Sequence, residues 1–260
     1  MRVFFVLISI RKYFRFIFIA LILLFFCFNQ TALLQTASVE YICSGTDYKT
    51  PAYIIKSDYR EPIIMIVAGT HGNEKAGIKA AEYLKDNIKI KKGTLIIIPR
   101  ANILACKKAV RNFPPDVNLN RVYPGNLQGN SVEKLAYEIF NLMKKYDIGL
   151  LLDLHESIEF YKKNPKNYGQ TLVIDSNDDY LNKLSSFIVE EMNEDIVEDS
   201  NRYQVLLDPI KGSIAYCALH HLGIPALTLE TCRKLPLSFR IGEQIKFVKI
   251  ILSKWNMLAI

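Results

Sequence analysis

Continuous apolar runs alternate with amphipathic stretches over most of the chain. Five runs are apolar nearly throughout, and they fall at residues 62–68, 94–99, 148–154, 171–174 and 224–229. Apolar residues recur with helical spacing in the stretches 76–88, 131–146, 179–196, 213–222 and 237–258. Strands that are apolar on both faces, separated by helices, predict an α/β fold with a mostly parallel sheet covered by helices on both faces. In such sheets, ligands bind beyond the carboxyl ends of the strands.

Individual residues mark the ends of several predicted helices. Ser131 is the predicted N-cap of the helix that follows it, although Lys134 stands where a capping box would need a glutamate. Gly223 ends the fourth helix, and Gly242 weakens the middle of the last one. These residues indicate where the helices begin and end, and they do not by themselves indicate a function.

Residues 1–38 have the pattern of an export signal. Basic side chains come first: Arg2, Arg11, Lys12 and Arg15. They precede the apolar run 16–28, which has about the length of a signal-peptide core and is short for a membrane span. Cleavage is predicted near Ala37 or Ser38, and the earlier apolar stretch 3–10 leaves an uncleaved N-terminal membrane anchor as the alternative. Because the positive charge stays in the cytoplasm, we expect the rest of the chain to be exported to the periplasm or another extracytoplasmic space.

The composition is that of a globular protein, with 50% hydrophobic and 23% charged residues. Residues 39–260 suffice for one domain with a sizeable core. The net charge of +7 comes from scattered lysines without an aromatic ladder or a recognition helix, so no nucleic-acid partner is predicted. A basic site for acidic substrates, or work near anionic envelope polymers, explains the charge equally well.

None of the five cysteines belongs to a C-x-x-C pair, so the sequence does not predict a thiolate zinc site. Cys27 lies in the N-terminal segment. The other four leave open either one disulfide in an oxidising compartment or buried free thiols. They are Cys43, Cys106, Cys217 and Cys232.

Polar side chains follow two of the predicted strands, at the sheet edge where parallel strands bring their carboxyl ends together. His71 and Glu74 follow the run 62–68 and stand three residues apart in the turn into the next helix. At that spacing, an imidazole and a carboxylate can converge on one ion. His155 directly follows the run 148–154, at the same edge. Two imidazoles and one carboxylate, with a position left for solvent, predict a catalytic zinc site rather than a structural one.

A third polar side chain, Glu230, directly follows the run 224–229. We predict that it acts as a general base and then as a general acid to the leaving amine. An ion pair with Arg233 is the alternative role for this carboxylate. His220 and His221 lie on a predicted helix without nearby acidic partners, and structural or surface roles are expected for them.

The loop before the helix 131–146 contains three further candidates: Arg111, Asn120 and Arg121. One guanidinium can clamp a carboxylate in bidentate fashion, and another can polarise a scissile carbonyl. The amide of Asn120 adds a neutral donor. On composition alone this would be a polar loop with solvated arginines, so its role depends on the metal site.

Four segments in this order resemble the succinylglutamate desuccinylase/aspartoacylase family, within the carboxypeptidase A-like zinc hydrolases. They are Gly69-Thr70-His71-Gly72-Asn73-Glu74, Asn118-Leu119-Asn120-Arg121, Asp153-Leu154-His155-Glu156 and Leu229-Glu230. The resemblance covers roughly residues 60 to 235. It implies an α/β sandwich with a mixed, mainly parallel sheet.

The resemblance also implies roles for the candidate residues. The two histidines and Glu74 would hold one Zn²⁺ per chain. Asn120 and Arg121 would hold the substrate's carboxylate, Arg111 would polarise the carbonyl, and Glu230 would be the general base. The implied reaction is cleavage of an amide bond by a zinc-activated water, in a small-molecule or peptide substrate with a carboxylate.

The chain departs from the family pattern in three places. Many members have an aspartate where this chain has Asn118, and that carboxylate supports a zinc-bound histidine. The tyrosine expected before the last strand is absent, with Leu206 and Leu207 in its place and Tyr203 as the candidate substitute. The chain ends with the helix 237–258, so we expect a catalytic domain without the family's C-terminal β-domain.

Three functions stay open at this stage. The family resemblance favours deacylation of an N-acyl amino acid. The export pattern and the expected lack of a β-domain favour a carboxypeptidase or amidase acting on peptides such as peptidoglycan stems. An inactive zinc- or ligand-binding protein is the alternative from a different class, and the intact set of polar residues argues against it.

Overall fold

The computed structural model describes residues 35–114, 116–175, 179–207 and 209–259. Except for its last four residues, the predicted signal or anchor (residues 1–38) lies outside the described residues. The signal or anchor, and the export that it implies, therefore stay predictions. In the part of the chain that the structure describes, no helix has the length and apolar character to cross a membrane.

Among the described residues, eight strands form one mixed sheet, in the spatial order β1-β2-β4-β3-β5-β8-β6-β7. The strands are β1 (Thr36–Ile42), β2 (Thr50–Lys56), β3 (Ile63–Ala68), β4 (Thr94–Ile98), β5 (Leu150–Ser157), β6 (Thr171–Ile174), β7 (Gln204–Leu207) and β8 (Ala226–Cys232). The central strands β4, β3, β5 and β8 run parallel, as do β6 and β7. The β1–β2, β2–β4 and β6–β8 pairs are antiparallel. The predicted fold class, a mixed and mainly parallel sheet, is therefore confirmed.

Helices cover both faces of the sheet. They are α1 (Lys75–Asn87), α2 (Ile103–Lys108), α3 (Ser131–Tyr146), α4 (Asp179–Asn193), α5 (Ile214–Leu222) and α6 (Leu237–Lys254). The described residues also contain the short 3₁₀ turns Leu119–Arg121 and Asp199–Asn201. Helices α3 and α5 contribute side chains to one hydrophobic core, and α1, α4 and α6 contribute to the other.

The side chains of β3 point alternately into the two hydrophobic cores, which explains why its sequence is apolar throughout. Ile63, Met65 and Val67 pack in the core with α3 and α5. Ile64 and Ile66 pack in the core with α1, α4 and α6. Because successive side chains of a strand point to opposite faces, both faces of β3 are buried and each of its positions favours an apolar residue.

The structure corrects several predicted boundaries. Asn130, not Ser131, is the N-cap of α3, because its side chain accepts hydrogen bonds from the backbone N–H of Val132 (2.9 Å) and Glu133 (3.0 Å). The Glu133 carboxylate accepts from the N–H of Asn130 (2.8 Å), which completes a capping box that the predicted N-cap, Ser131, did not offer. Strands β5 and β8 also continue three residues past their predicted ends, to Ser157 and Cys232. The polar residues at these ends therefore stay within the hydrogen-bonded sheet.

The close approach of α2 to the loop after β3 requires a glycine at residue 72. A Cβ atom there would overlap the backbone of Ala105. Gly72→Ala is expected to destabilise the fold by about 1–3 kcal/mol or more, because backbone cannot move aside as a side-chain tip can. The matched control is Gly242→Ala in α6, where a Cβ meets no atom within 4 Å. This control should stabilise the helix by about 0.5–1 kcal/mol. Urea denaturation measures both, and equal unfolding midpoints for Gly72→Ala and wild type would contradict the steric argument.

Candidate metal centre

A left-handed turn directs the chain from β3 towards the candidate site. Gly69 follows β3 with φ of +69°, a conformation that side chains with a Cβ rarely adopt. The next residues carry His71 and Glu74 to the start of α1. His155 reaches the same place from β5, which pairs with β3 so that Leu154 lies opposite Ala68.

The structure brings His71, Glu74 and His155 together. The Nδ1 atom of His71 lies 2.7 Å from Oε1 of Glu74, and Nδ1 of His155 lies 2.8 Å from Oε2 of the same carboxylate. The candidate ligand atoms of the three residues all lie within 4.8 Å of one another. All three side chains are buried, with at most 3% exposure. Within the described residues, this is the one group of this kind that could hold a metal ion.

The outward nitrogen of each imidazole has its own oxygen partner. Nε2 of His71 lies 3.1 Å from Oδ1 of Asn118, and Nε2 of His155 lies 3.0 Å from Oδ2 of Asp153. Oδ1 of Asn118 also accepts from the backbone N–H of Asn120 (2.9 Å), which fixes which end of the amide faces His71. With Nε2 as the donor in both rings, each Nδ1 has a lone pair for an ion.

Glu74 is the centre of this cluster. Burial by itself would raise the pKa of its carboxyl group, but the adjacent imidazoles of His155 and His71 outweigh burial and hold the pKa below the usual value. Its carboxylate also accepts from Nη1 of Arg111 (3.0 Å) and from the backbone N–H of Glu156 (3.1 Å). A buried carboxylate must be paired or must coordinate a metal ion, and Glu74 is held ionised in a position that is suited to either role.

Surrounding hydrogen bonds hold the β5 side of the cluster in place. Gln244 of α6 is fully buried, and its amide donates to the backbone oxygen of His155 and to Oγ1 of Thr231, both at 2.9 Å. Glu156 accepts from the N–H of Ala76 (2.9 Å) and forms an ion pair with Arg240. These contacts tie β5, β8, α1 and α6 together around the site.

Glu230 lies on β8 directly opposite His155 in the strand register. Within the described part of the chain, its Oε2 atom is buried and has no hydrogen-bond partner. Burial is the main reason why the pKa of Glu230 is raised to about 8. The alternative partner, Arg233, instead donates to Oδ1 of Asn73 (3.0 Å). A buried carboxyl group with an unpaired oxygen and a raised pKa, beside a metal-ligand set, has the properties of a general base or acid.

The three predicted loop residues occupy different positions. Arg111 contacts Glu74, as described, and about half of its side chain is exposed. Asn120 accepts from the N–H of Ile214 (3.1 Å), which attaches the loop to the start of α5, and its Nδ2 lies 3.4 Å from Nε2 of His155. Arg121 is exposed and donates to the backbone oxygen of Asn120 (2.6 Å). Asn120 therefore lines the site, and Arg121 stands at its solvent side.

A small cavity beside Glu230 contains residues that the sequence did not indicate. Its lining comes from Asn120, Tyr168, Val173, Pro209, Ile210, Ser213, Thr228 and Glu230. Tyr168 comes from the irregular segment between β5 and β6, which has no apolar periodicity or motif. The sequence contains no local signal for it, because the tyrosine reaches the cavity only through the tertiary fold.

Two expectations about other residues were wrong. Tyr203 does not substitute for the family tyrosine, because it is buried in the core with α4 and α6 and its backbone is hydrogen-bonded to the side chain of Asn193. His220 does have an acidic partner: its Nε2 lies 2.9 Å from Oδ2 of Asp175. The partner follows β6, 45 residues earlier, and only the folded sheet brings the two together.

Asn118 provides a test of metal affinity that does not depend on any activity. Asn118→Asp is expected to increase metal affinity by roughly 10–100-fold, because a carboxylate facing Nε2 makes the His71 ring a more basic ligand. Asp153→Asn is the reciprocal variant and should lower the affinity by a similar factor. Competition with a chromophoric chelator measures both. If Asn118→Asp binds the metal ion no more tightly than wild type does, a carboxylate at this position does not support the His71 ring better than the amide does.

The fold and the site define an α/β protein of the carboxypeptidase A-like class, with a two-histidine, one-glutamate centre at the carboxyl ends of its strands. The sequence model of the succinylglutamate desuccinylase/aspartoacylase catalytic domain matches residues 60–246. The chain belongs to this family.

Similar proteins of known sequence include an N-alpha-acetyl-L-2,4-diaminobutyric acid deacetylase from Halomonas elongata, which is 37% identical over 98 residues. That alignment covers 36% of this chain and 28% of the deacetylase. Aspartoacylase from Danio rerio is 31% identical over 134 residues, covering 46% of this chain and 39% of the relative. The chain thus aligns with less than half the length of either relative.

Among solved structures, apo cell shape determinant protein Csd4 from Helicobacter pylori has a similar fold, with a TM-score of 0.72 at 17% identity. The match covers 86% of this chain and 55% of that protein. The product-bound ectoine utilization protein EutE (DoeB) from Ruegeria pomeroyi matches with a TM-score of 0.66 at 20% identity, covering 86% and 68% of the two chains. At these identities the similarity shows the shared fold.

Proposed function

We propose that this chain is a zinc-dependent hydrolase that cleaves an amide bond in a substrate with a carboxylate next to the scissile bond. The observation that carries the proposal is the convergence of His71, Glu74 and His155 at one point, with the unpaired carboxylate of Glu230 beside them. Membership of a family named for a desuccinylase and an aspartoacylase supports amide hydrolysis as the reaction.

The donor set fits zinc. Two imidazole nitrogens and a carboxylate oxygen are common ligands of catalytic Zn²⁺, and three protein ligands leave a position for water or substrate. The oxygen partners of the two Nε2 atoms hold each ring with its Nδ1 towards Glu74. When bound, zinc supplies a Lewis acid that lowers the pKa of a water to about 7 and polarises a carbonyl.

Glu230 is assigned the proton transfers. Its carboxylate removes a proton from the attacking water and then delivers it to the leaving nitrogen, which must be protonated to leave as an amine. The raised pKa of this group, about 8 without a metal ion, results mainly from burial. A nearby divalent cation favours the ionised form, so a bound metal ion lowers that pKa towards the range of a base at neutral pH.

Two arginines are assigned to the negative charges of the substrate and transition state. Arg111 stands next to Glu74 and is half exposed, so its guanidinium can turn towards the carbonyl oxygen as negative charge develops there. Arg121 is exposed next to Asn120, which lines the cavity, and we assign both residues to binding of the substrate's carboxylate.

A second candidate substrate class follows from one structural relative. Csd4 from Helicobacter pylori is a D,L-carboxypeptidase. The structure of its mDAP-bound form matches this chain with a TM-score of 0.68 at 19% identity. Both a peptide with a terminal carboxylate and an N-acyl amino acid offer a carboxylate that the guanidinium of Arg121 can bind. Deacylation is our first assignment, because the aligned sequence relatives are an acyl-amino-acid deacetylase and an aspartoacylase.

One experiment tests the proposal and separates the two substrate classes. Purified protein loaded with zinc is assayed on N-acyl amino acids and on muropeptides, with and without a chelator. We expect hydrolysis of one class that stops on chelation and returns when zinc is added back. If neither class is cleaved by protein that contains one zinc per chain, the proposed function is wrong.

A further inference from the structure

Gln35, the first described residue, is bound into the fold by its side chain. Its Nε2 donates to the backbone oxygen of Ile88 (3.2 Å), and its Oε1 accepts from the backbone N–H of Ile90 (2.9 Å). Residues 36–38 follow it directly and form the first three pairs of the ladder between β1 and β2. Residues 35–38 are therefore part of the sheet and not a spacer in front of it.

This arrangement bears on whether the N-terminal segment is cleaved. Cleavage near Ala37 or Ser38 would remove Gln35 together with both of its hydrogen bonds to the loop after α1. It would also remove the first pairs of β1 and leave that part of β2 without a neighbour. Between Phe28 and Gln35, no two small residues have the spacing that a signal-peptidase site requires. The fold therefore favours a chain that keeps its N-terminal segment.

The sequence places no linker between that segment and the sheet. No charged residue occurs between Arg15 and Glu40. The uncharged stretch 16–34 approaches the roughly 20 residues that cross a bilayer, and Gln35 follows it directly. If this stretch is inserted in a membrane, the face of the domain around Gln35 must lie at the membrane surface.

The face around Gln35 is basic. It carries four lysines that form no ion pair among the described residues: Lys56, Lys89, Lys91 and Lys92. The first of them is the ladder partner of Thr36. The other three lie in the loop that binds Gln35, where Lys89 stands between the two residues that the glutamine contacts. This surface is suited to a partner with closely spaced negative charges.

We propose that residues 1–34 stay attached as a membrane anchor, and that the face around Gln35 binds the anionic headgroups of lipids beside it. Asp58 and the Arg60–Glu61 pair on the adjoining turn leave the net charge of this face positive. Basic residues next to an inserted apolar segment add electrostatic attraction to its hydrophobic insertion. The inference concerns where the protein is held, and it does not depend on the proposed reaction.

Retention of the anchor is tested on the full chain, expressed in a bacterial host that exports it. We expect the protein in the membrane fraction after an alkaline carbonate wash. Mass spectrometry of the purified protein should find the stretch 16–34 intact. A mature chain that begins at Ser38 or Val39, or that lacks any part of this stretch, overturns the inference.

Headgroup binding is tested with the full chain in nanodiscs of phosphatidylcholine, alone or mixed with phosphatidylglycerol. A water-soluble reagent acylates lysines, and mass spectrometry gives the rate at each position. With phosphatidylglycerol, the exposed Lys56, Lys89 and Lys92 should react about fivefold more slowly, which corresponds to about 1 kcal/mol for a lysine near an anionic surface. Most of this difference should disappear at about 1 M salt, where the Debye length falls to about 3 Å.

Lys134 is the matched internal control. It is exposed and lines a cavity with Tyr41 and Cys43, which lie at the other end of β1 from Gln35. At about 3.3 Å per residue that end is roughly 20 Å away, beyond the Debye length of about 10 Å at 0.1 M salt. Its rate should be the same in both nanodiscs. If the lysines around Gln35 react equally fast in both, or are slowed no more than Lys134, this face does not bind anionic lipid.

Discussion

Glu230→Gln is expected to lower kcat by about 10²–10⁴-fold while the protein keeps its full complement of zinc. Glutamine has nearly the same shape as glutamate, so the β8 backbone pairing with His155 should persist. What the substitution removes is the ability to accept a proton from water and pass it to the leaving nitrogen. The loss should therefore appear in kcat more than in KM.

The control for this variant is Glu190→Gln, which makes the same chemical change at an exposed position of α4. Its kcat should equal that of wild type. Steady-state kinetics and metal analysis on the same preparations separate a loss of chemistry from a loss of metal. If Glu230→Gln turns over within about threefold of wild type, Glu230 is not the base.

Glu74→Gln should weaken zinc binding by more than the roughly 10–100-fold that the loss of a supporting partner costs. The variant keeps the size of the side chain but removes the negative charge on which both imidazoles and Arg111 converge. A neutral amide is a poorer ligand for a divalent cation, and it leaves the neighbouring cation uncompensated.

The effect can be measured without any substrate. Zinc should raise the melting temperature of wild type in proportion to the logarithm of its concentration, because it binds the folded state. The same additions should have much less effect on Glu74→Gln. Glu82→Gln, on the same helix and paired with Arg100, should respond as wild type does. Equal zinc responses of Glu74→Gln and wild type would remove Glu74 from the ligand set.

The central fold could be predicted because the buried strands are covered on both faces. Every side chain of β3 and all but the first of β4 are apolar and buried, so the apolar runs stand out in the sequence. The edge strands β1 and β7 gave no such signal. Most of β1 is exposed and β7 is only partly buried, so neither needs a continuous apolar run. They form because the neighbouring strand offers hydrogen-bonding partners, which is a property of the assembled sheet.

The same distinction applies to the site. His71, Glu74 and His155 follow apolar runs, and parallel strands necessarily bring such positions to one edge. Tyr168 has no comparable signal, because its place depends on how the irregular segment between β5 and β6 packs against that edge. The pairing of His220 with Asp175 was missed for the same reason, since the partner comes from a distant element.

Anomalous diffraction at the zinc absorption edge, from crystals of zinc-loaded protein, locates the bound metal ion. We expect one strong peak between Nδ1 of His71, Nδ1 of His155 and the carboxylate of Glu74. A zinc-saturated crystal with no peak at that point, or with its only peak elsewhere, would contradict it.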